Sequence, residues 1–100
     1  MTLRILNADD VRAALPVKEA IRAMRDAFTV MSGGGADVPL RTHIALAGRS
    51  AASALFMPAA TRSPVRVGAK ILTLFPKNPA GGRPFIHGLV LLFNARTGQP

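Results

Sequence analysis

Residues 65–94 read VRVGAKILTLFPKNPAGGRPFIHGLVLLFN. Two apolar, strand-like runs flank a loop rich in proline, glycine and basic residues. A single lysine, Lys70, sits inside the first run. A charge placed mid-strand among valine, isoleucine, leucine and phenylalanine loses part of its hydration and needs an anionic partner. No acid occurs anywhere in the stretch. The partner is therefore solvent, another part of the protein, or a bound anion.

The wider charge distribution sharpens the question. Residues 1–37 hold Arg4, Arg12, Lys18, Arg22 and Arg25 against Asp9, Asp10, Glu19, Asp26 and Asp37, a net charge of zero. Residues 38–100 hold Arg41, Arg49, Arg62, Arg66, Lys70, Lys77, Arg83 and Arg96 with no acid, so the whole formal charge of +8 lies there. Such a field attracts carboxylates, phosphates or nucleic acid. Acids from a longer chain or a partner surface would balance most of these arginines. For cations inside strands a ligand is the preferred reading. Nucleic acid ranks well below a small anion. The basic residues are scattered through apolar strands, and five phenylalanines with no tyrosine or tryptophan leave little to stack on bases. No helix-turn-helix or finger pattern appears.

One hundred residues make one small domain at most. A hydrophobic fraction of 49% suffices for a core and argues against disorder. The chain has no cysteine, hence no disulfide framework and no thiolate nucleophile or metal ligand. That fits a cytoplasmic protein. The first ten residues have no long apolar run and do not form a signal peptide. No run is long enough to cross a bilayer, so no membrane partner is expected. Asn94 to Gly98 reads as a turn that should lead into another strand. The expectation is an N-terminal piece of a longer protein.

A coarse pass gives mixed α and β. Residues 3–6 read as a short strand. Asn7 caps a short helix with Asp9 and Asp10 in its first turn. Pro16 opens a second helix over residues 16–32, with Val17, Ala20, Ile21, Met24, Ala27, Phe28 and Met31 on one apolar face. Gly33-Gly34-Gly35 stops it. Residues 40–47 and 52–57 read as a hairpin around Gly48-Arg49-Ser50. Residues 65–75 and 85–93 are the long strands, apolar on both faces in places, which predicts a largely covered sheet. The fold class is α+β, with N-terminal helices packed on a mainly antiparallel sheet.

Alternation puts Arg66, Gly68, Lys70, Leu72 and Leu74 on one face of their strand, and Val67, Ala69, Ile71, Thr73 and Phe75 on the other. Gly68 beside Lys70 leaves room for something to approach the backbone. Lys70 reads either as an anion ligand or as a lysine snorkelling to the sheet edge, and both stay open. Arg41 offers a planar fork suited to a carboxylate, or is an ordinary exposed arginine. Met57 ends a strand and reads as core. His43 and His87 are too few and too far apart for a metal site. Gly81-Gly82 opens no helix, so it is no dinucleotide fingerprint. No acid after Asp37 can serve as a general base.

Several short motifs occur together in order. They are Leu15-Pro16 with its amphipathic helix, Val38-Pro39-Leu40-Arg41, Phe56-Met57-Pro58-Ala59, and Gly68-Ala69-Lys70 with Thr73, Phe75-Pro76 and Asn78-Pro79. Gly88 to Phe93 and Thr97-Gly98-Gln99-Pro100 complete the set. Each is weak alone, but the series closely resembles the start of the ornithine cyclodeaminase/mu-crystallin family over nearly all one hundred residues. The resemblance implies a homodimeric, NAD- or NADP-dependent enzyme of amino-acid metabolism. Residues 1–100 would belong to its substrate-binding and dimerisation domain, with a Rossmann domain beyond residue 100. It implies that Arg41 and Lys70, with Met57 beside them, bind a small carboxylate substrate (amino, imino or oxo acid), and that Lys70 is also catalytic. The glycine loop and catalytic aspartate would lie outside the hundred residues, which alone are expected to be inactive.

Departures from the cyclodeaminases proper narrow the resemblance. Lys70 lies in Gly-Ala-Lys-Ile-Leu-Thr-Leu-Phe-Pro rather than Phe-Lys-Tyr-Val-Asn-Gly-His-Pro, and Leu55-Phe56 rather than an acid precedes Met57. That is closer to the branch of alanine dehydrogenases, ketimine reductases and mu-crystallin, and points away from ornithine. Phe85 replaces a threonine or serine that members often hold near the cofactor. Two alternatives to an oxidoreductase remain: a mu-crystallin-like protein that holds cofactor and a small ligand with little turnover, and, further off, a basic nucleic-acid-binding module.

Overall fold

The computed structural model of the protein describes residues 2–49 and 51–100. Helix α1 spans Ala8–Ala14 and helix α2 spans Val17–Ser32. The strands are β1 (Ala36–Asp37), β2 (Thr42–Ala45), β3 (Ser53–Arg62), β4 (Val65–Leu74) and β5 (Ile86–Phe93), with a 3₁₀ turn at Pro79–Gly81. All strand pairs are antiparallel, so the expected sheet is there. The order is β1-β3-β4-β5, and β2 also lies along β3.

The helices start where local chemistry says they should. Asn7 accepts from the Asp10 amide at 3.0 Å while Asp10 accepts from the Asn7 amide at 2.9 Å, a reciprocal capping box that satisfies two otherwise orphaned donors. Pro16 stands at the cap of α2, where its missing N–H costs nothing. Helix α2 ends at Gly33. Gly34 takes a left-handed φ of 77°, and the Gly35 amide donates to the Val30 carbonyl at 2.9 Å. That turn delivers the chain directly into β1 at the sheet edge.

Strand β3 runs further than its sequence suggests. Pro58 cannot donate to a ladder, which reads as a strand end. Yet β3 continues to Arg62 because β4 pairs with it along its whole length, Pro58 standing opposite Ala69. On its other edge β2 covers Ser53 to Phe56 and β1 covers Ala60 and Thr61. The proline falls between them, where the strand has a partner on one side only. The β2–β3 hairpin is present, with Gly48 and Ala51 at positive φ in its turn. Ser50, part of the expected turn, lies outside the described residues.

Three expectations need correction. Residues 3–6 form no strand, because no strand edge lies beside them to complete their hydrogen bonds. Helix α2 does not bury its apolar face on the sheet. The glycine turn launches it from the edge, so only its last turns, through Ala27 and Met31, approach Ala36, Val38 and Ala59. Phe28 remains 60% exposed. The sheet itself is not covered: Val90 is 79% and Leu92 68% exposed, and among the described residues only Ala52 and Ala54 are buried. Apolar residues on both faces of a strand signal a cover, but nothing among the described residues provides it. The radius of gyration, 16.0 Å, exceeds the roughly 13 Å of a compact domain of this length.

Open apolar surface on this scale predicts that the isolated hundred-residue chain associates. Sedimentation velocity should show species larger than a monomer, and a hydrophobic dye should bind. A dye-negative, monodisperse monomer would contradict the exposed faces.

Candidate functional site

The register brings two of the sequence-predicted residues, Met57 and Lys70, into one row. Met57 stands opposite Lys70, and Lys70 stands opposite Val90. Directly opposed residues share a face, with Cβ atoms about 5 Å apart. Strand β2 begins with Thr42 opposite Phe56. Arg41 immediately precedes this strand and is not itself paired. Met57, Lys70 and Val90 thus cross the sheet in line, with Arg41 in the segment that leads into β2. The alternation predicted for β4 holds: Arg66, Gly68, Leu72 and Leu74 lie on this same face.

Lys70 and Arg41 are exposed, whereas Met57 is half-buried between their strands. Among the described residues neither cation makes an ion pair. His43 opposes Leu55 and so lies on the same face as Lys70. His87 opposes Thr73 and therefore lies on the other face. Among the described residues no three potential metal ligands come together. An arginine fork and a lysine flanking a soft thioether can hold a carboxylate and the carbon chain next to it.

Gly68 fixes how closely the strands approach beside Lys70. A Cβ built there would lie 2.6 Å from the Leu91 carbonyl oxygen, which is backbone and cannot swing aside. At Gly88 the corresponding contact, also 2.6 Å, is with the Leu72 Cδ2 methyl.

The sequence pattern of the ornithine cyclodeaminase/mu-crystallin family matches residues 1–100. The chain belongs to this family. It is 28% identical over 96 residues to a Delta(1)-pyrroline-2-carboxylate reductase of Bacillus cereus, covering 96% of this chain and 29% of that protein. The Delta(1)-pyrroline-2-carboxylate reductase of Thermococcus litoralis, solved with NADH and L-proline, matches with a TM-score of 0.78 and 31% identity over 89% of this chain and 28% of that one. An archaeal alanine dehydrogenase dimer with bound NAD matches with a TM-score of 0.83 and 26% identity, over 95% of this chain and 28% of that one. The chain spans 29% of the length of the curated relatives it matches. Its relatives are oxidoreductases, and the two solved neighbours carry NAD-type cofactors.

One ion pair of this family member escaped the sequence reading. Arg62 Nη2 donates to Asp37 Oδ1 at 2.5 Å, Nε to Oδ2 at 3.4 Å, and Nη1 to the Gly34 carbonyl at 2.9 Å. Its backbone amide donates to the Gly35 carbonyl at 2.9 Å. Arg62 thereby ties the end of α2 to the end of β3. The hydrogen bond from Arg62, then its charge, holds the Asp37 carboxyl below its ordinary value, and Asp37 raises Arg62 in turn. The only hint in the sequence is that Asp37, the last acid, closely follows the glycine turn.

Two outcomes are expected. Gly68→Ala should force β5 away from β4 and lower stability by about 1–3 kcal/mol, while Gly88→Ala should cost less because Leu72 can rotate. Thermal melts of the two variants compare them directly, and equal melting points would refute the backbone contact at Gly68. For Asp37, a carboxyl resonance followed by NMR should titrate below the usual aspartate range. A lowered folded-state value means that the stabilisation is present above the unfolded value and is lost as pH falls through the folded one. Asp37→Asn should remove that part of the acid dependence.

Proposed function

We propose that residues 1–100 are the substrate-binding and dimerisation part of an NAD(P)-dependent oxidoreductase acting on small amino, imino or oxo acids. In this reading Arg41 and Lys70 bind the substrate carboxylate, and Met57 packs against its carbon chain. The observation that carries it is the row itself. Lys70, a cation without an acidic partner, stands beside Met57 on one sheet face with Arg41 just before β2, in a family whose Thermococcus litoralis member was solved in complex with NADH and L-proline.

The chain does not itself supply a dinucleotide cradle. That cradle requires a strand, a glycine-rich turn and a helix leading to a parallel strand. Every pairing among the described residues is antiparallel. In this proposal the cofactor rests on a Rossmann domain beyond residue 100, and the redox chemistry belongs there. The residues in hand have a different task. The guanidinium of Arg41 can engage both carboxylate oxygens, which fixes the plane of the acid. Lys70, a compact charge on a flexible stem, contacts the same carboxylate from β4, across β3, and can donate to the imine or oxo group beside it. Strand β4 holds Lys70, and Arg41 directly adjoins β2, so the reacting carbon is presented in one orientation. The full protein is proposed to be a homodimer, in keeping with the dimeric alanine dehydrogenase and the open apolar sheet.

The test is steady-state kinetics of the full-length protein with NADH or NADPH and Delta(1)-pyrroline-2-carboxylate or an oxo acid with ammonia. Lys70→Ala should lose about 1.5–3 kcal/mol of transition-state binding, which is roughly tenfold to a hundredfold in kcat/KM. Arg41→Lys should also raise KM, because an ammonium cannot reproduce the two-pronged contact. Cofactor affinity should change little in either variant. Wild-type kinetics for Lys70→Ala would reduce Lys70 to a snorkelling surface residue. Tight carboxylate binding without turnover would favour a ligand-holding, mu-crystallin-like role.

A further inference from the structure

The site face continues past Lys70. Four residues back along β4, on the same face, stands Arg66, opposite Thr61. Between the two cations Gly68 pairs with Ala59, so nothing larger than a methyl group rises from β3 or β4 there. Arg66 borders a crevice of about 220 Å³ that Ala27 and Met31 of α2 close against Ala36, Val38 and Ala59. An apolar crevice with one cation at its mouth suits a short methylene chain ending in an anion.

Nothing among the described residues answers the charge of Arg66. No acid follows Asp37, and Asp37 is engaged by Arg62 on the opposite face. Among the described residues Arg66 makes no ion pair. Arg66 and Lys70 stand ~13 Å apart along the strand backbone. Two long, flexible cationic side chains can narrow that span to the length of a short dicarboxylic acid.

We infer that Arg66 is a specificity-determining residue that binds a second, distal carboxylate of the substrate, whose methylenes lie over Gly68 and Ala59. The inference rests on the proposed carboxylate site at Arg41 and Lys70. It commits the substrate class to imino or oxo acids carrying a second carboxylate.

The experiment compares 2-oxoglutarate with 2-oxopentanoate, which lacks the distal carboxylate, on the full-length protein. Two readouts are taken: kcat/KM with ammonia and reduced cofactor, and the dissociation constant from thermal-shift titration, which needs no turnover. Wild type should favour the diacid at least tenfold in both. Arg66→Gln should lower the diacid values at least tenfold more than the monoacid values, and Arg66→Lys should recover part of the difference. Equal binding of the two acids by wild type would overturn the inference, as would an equal loss for both in Arg66→Gln. A fall in melting temperature with the preference intact would make Arg66 the partner of an acid elsewhere in the protein, which also overturns it. If neither acid binds wild type, the Arg41–Lys70 reading fails and this inference falls with it. If the monoacid binds and loses affinity in Lys70→Ala, that reading stands and only the role of Arg66 is at stake.

Discussion

The register of β3 against β4 is the constraint on which everything at the site depends. Two ten-residue strands pair without interruption, and that ladder sets Met57 beside Lys70. Strand side chains alternate, so a slip of one residue would turn Lys70, Gly68 and Arg66 to the other face together. It would also bring Val67, Ala69 and Ile71 round in their place. The tight turn through Ser63 and Pro64 fixes the register at one end, where Thr61 Oγ1 donates to the Pro64 carbonyl at 2.7 Å. Strand β2 pairs with β3 from Thr42 onward, and Arg41 is the residue that leads into it. The site is assembled by hydrogen-bonded backbone, and its side chains stand on rigid elements.

Local chemistry was readable from the sequence, and non-local cover was not. The caps at Asn7 and Gly33, the face of α2 and the alternation along β4 each depend on neighbours within a few residues, and each is present in the structure. Strand β1 is two residues long and carries no pattern of its own. It exists because the glycine turn lays Ala36 and Asp37 along β3. The extension of β3 past Pro58 was hidden because proline is a strand breaker only where a partner needs its donor. The row at Met57 and Lys70 was half legible. Periodicity placed Lys70 on a face, but only pairing could show that Met57 shares it. The Arg62–Asp37 link joins residues 25 apart, with no periodic signature.

Charge and apolarity are arranged by the same alternation. Arg62 falls on the face where Asp37 can reach it, and its charge is answered. Lys70 and Arg66 fall on the other face, where no strand residue among those described is acidic. The formal charge of +8 is therefore not a diffuse property of the chain. Part of it forms a line of cations on one side of the sheet, interleaved with Met57, Val90 and Leu92.

That interleaving ties ligand binding to burial. On an open sheet a cation and a carboxylate 4 Å apart gain about 1 kcal/mol, because water screens them; at the effective dielectric of a partly covered site the same pair gains about 4 kcal/mol. Covering Val90 and Leu92 is favourable on its own account, since it removes apolar area from water. The same cover strips water from Lys70, and a stripped, unanswered ammonium is costly. Any surface that closes this face therefore raises both the penalty of an empty site and the reward for an anion within it. Apolar strands that demand a cover and cations that then demand an anion are two consequences of one period-two pattern.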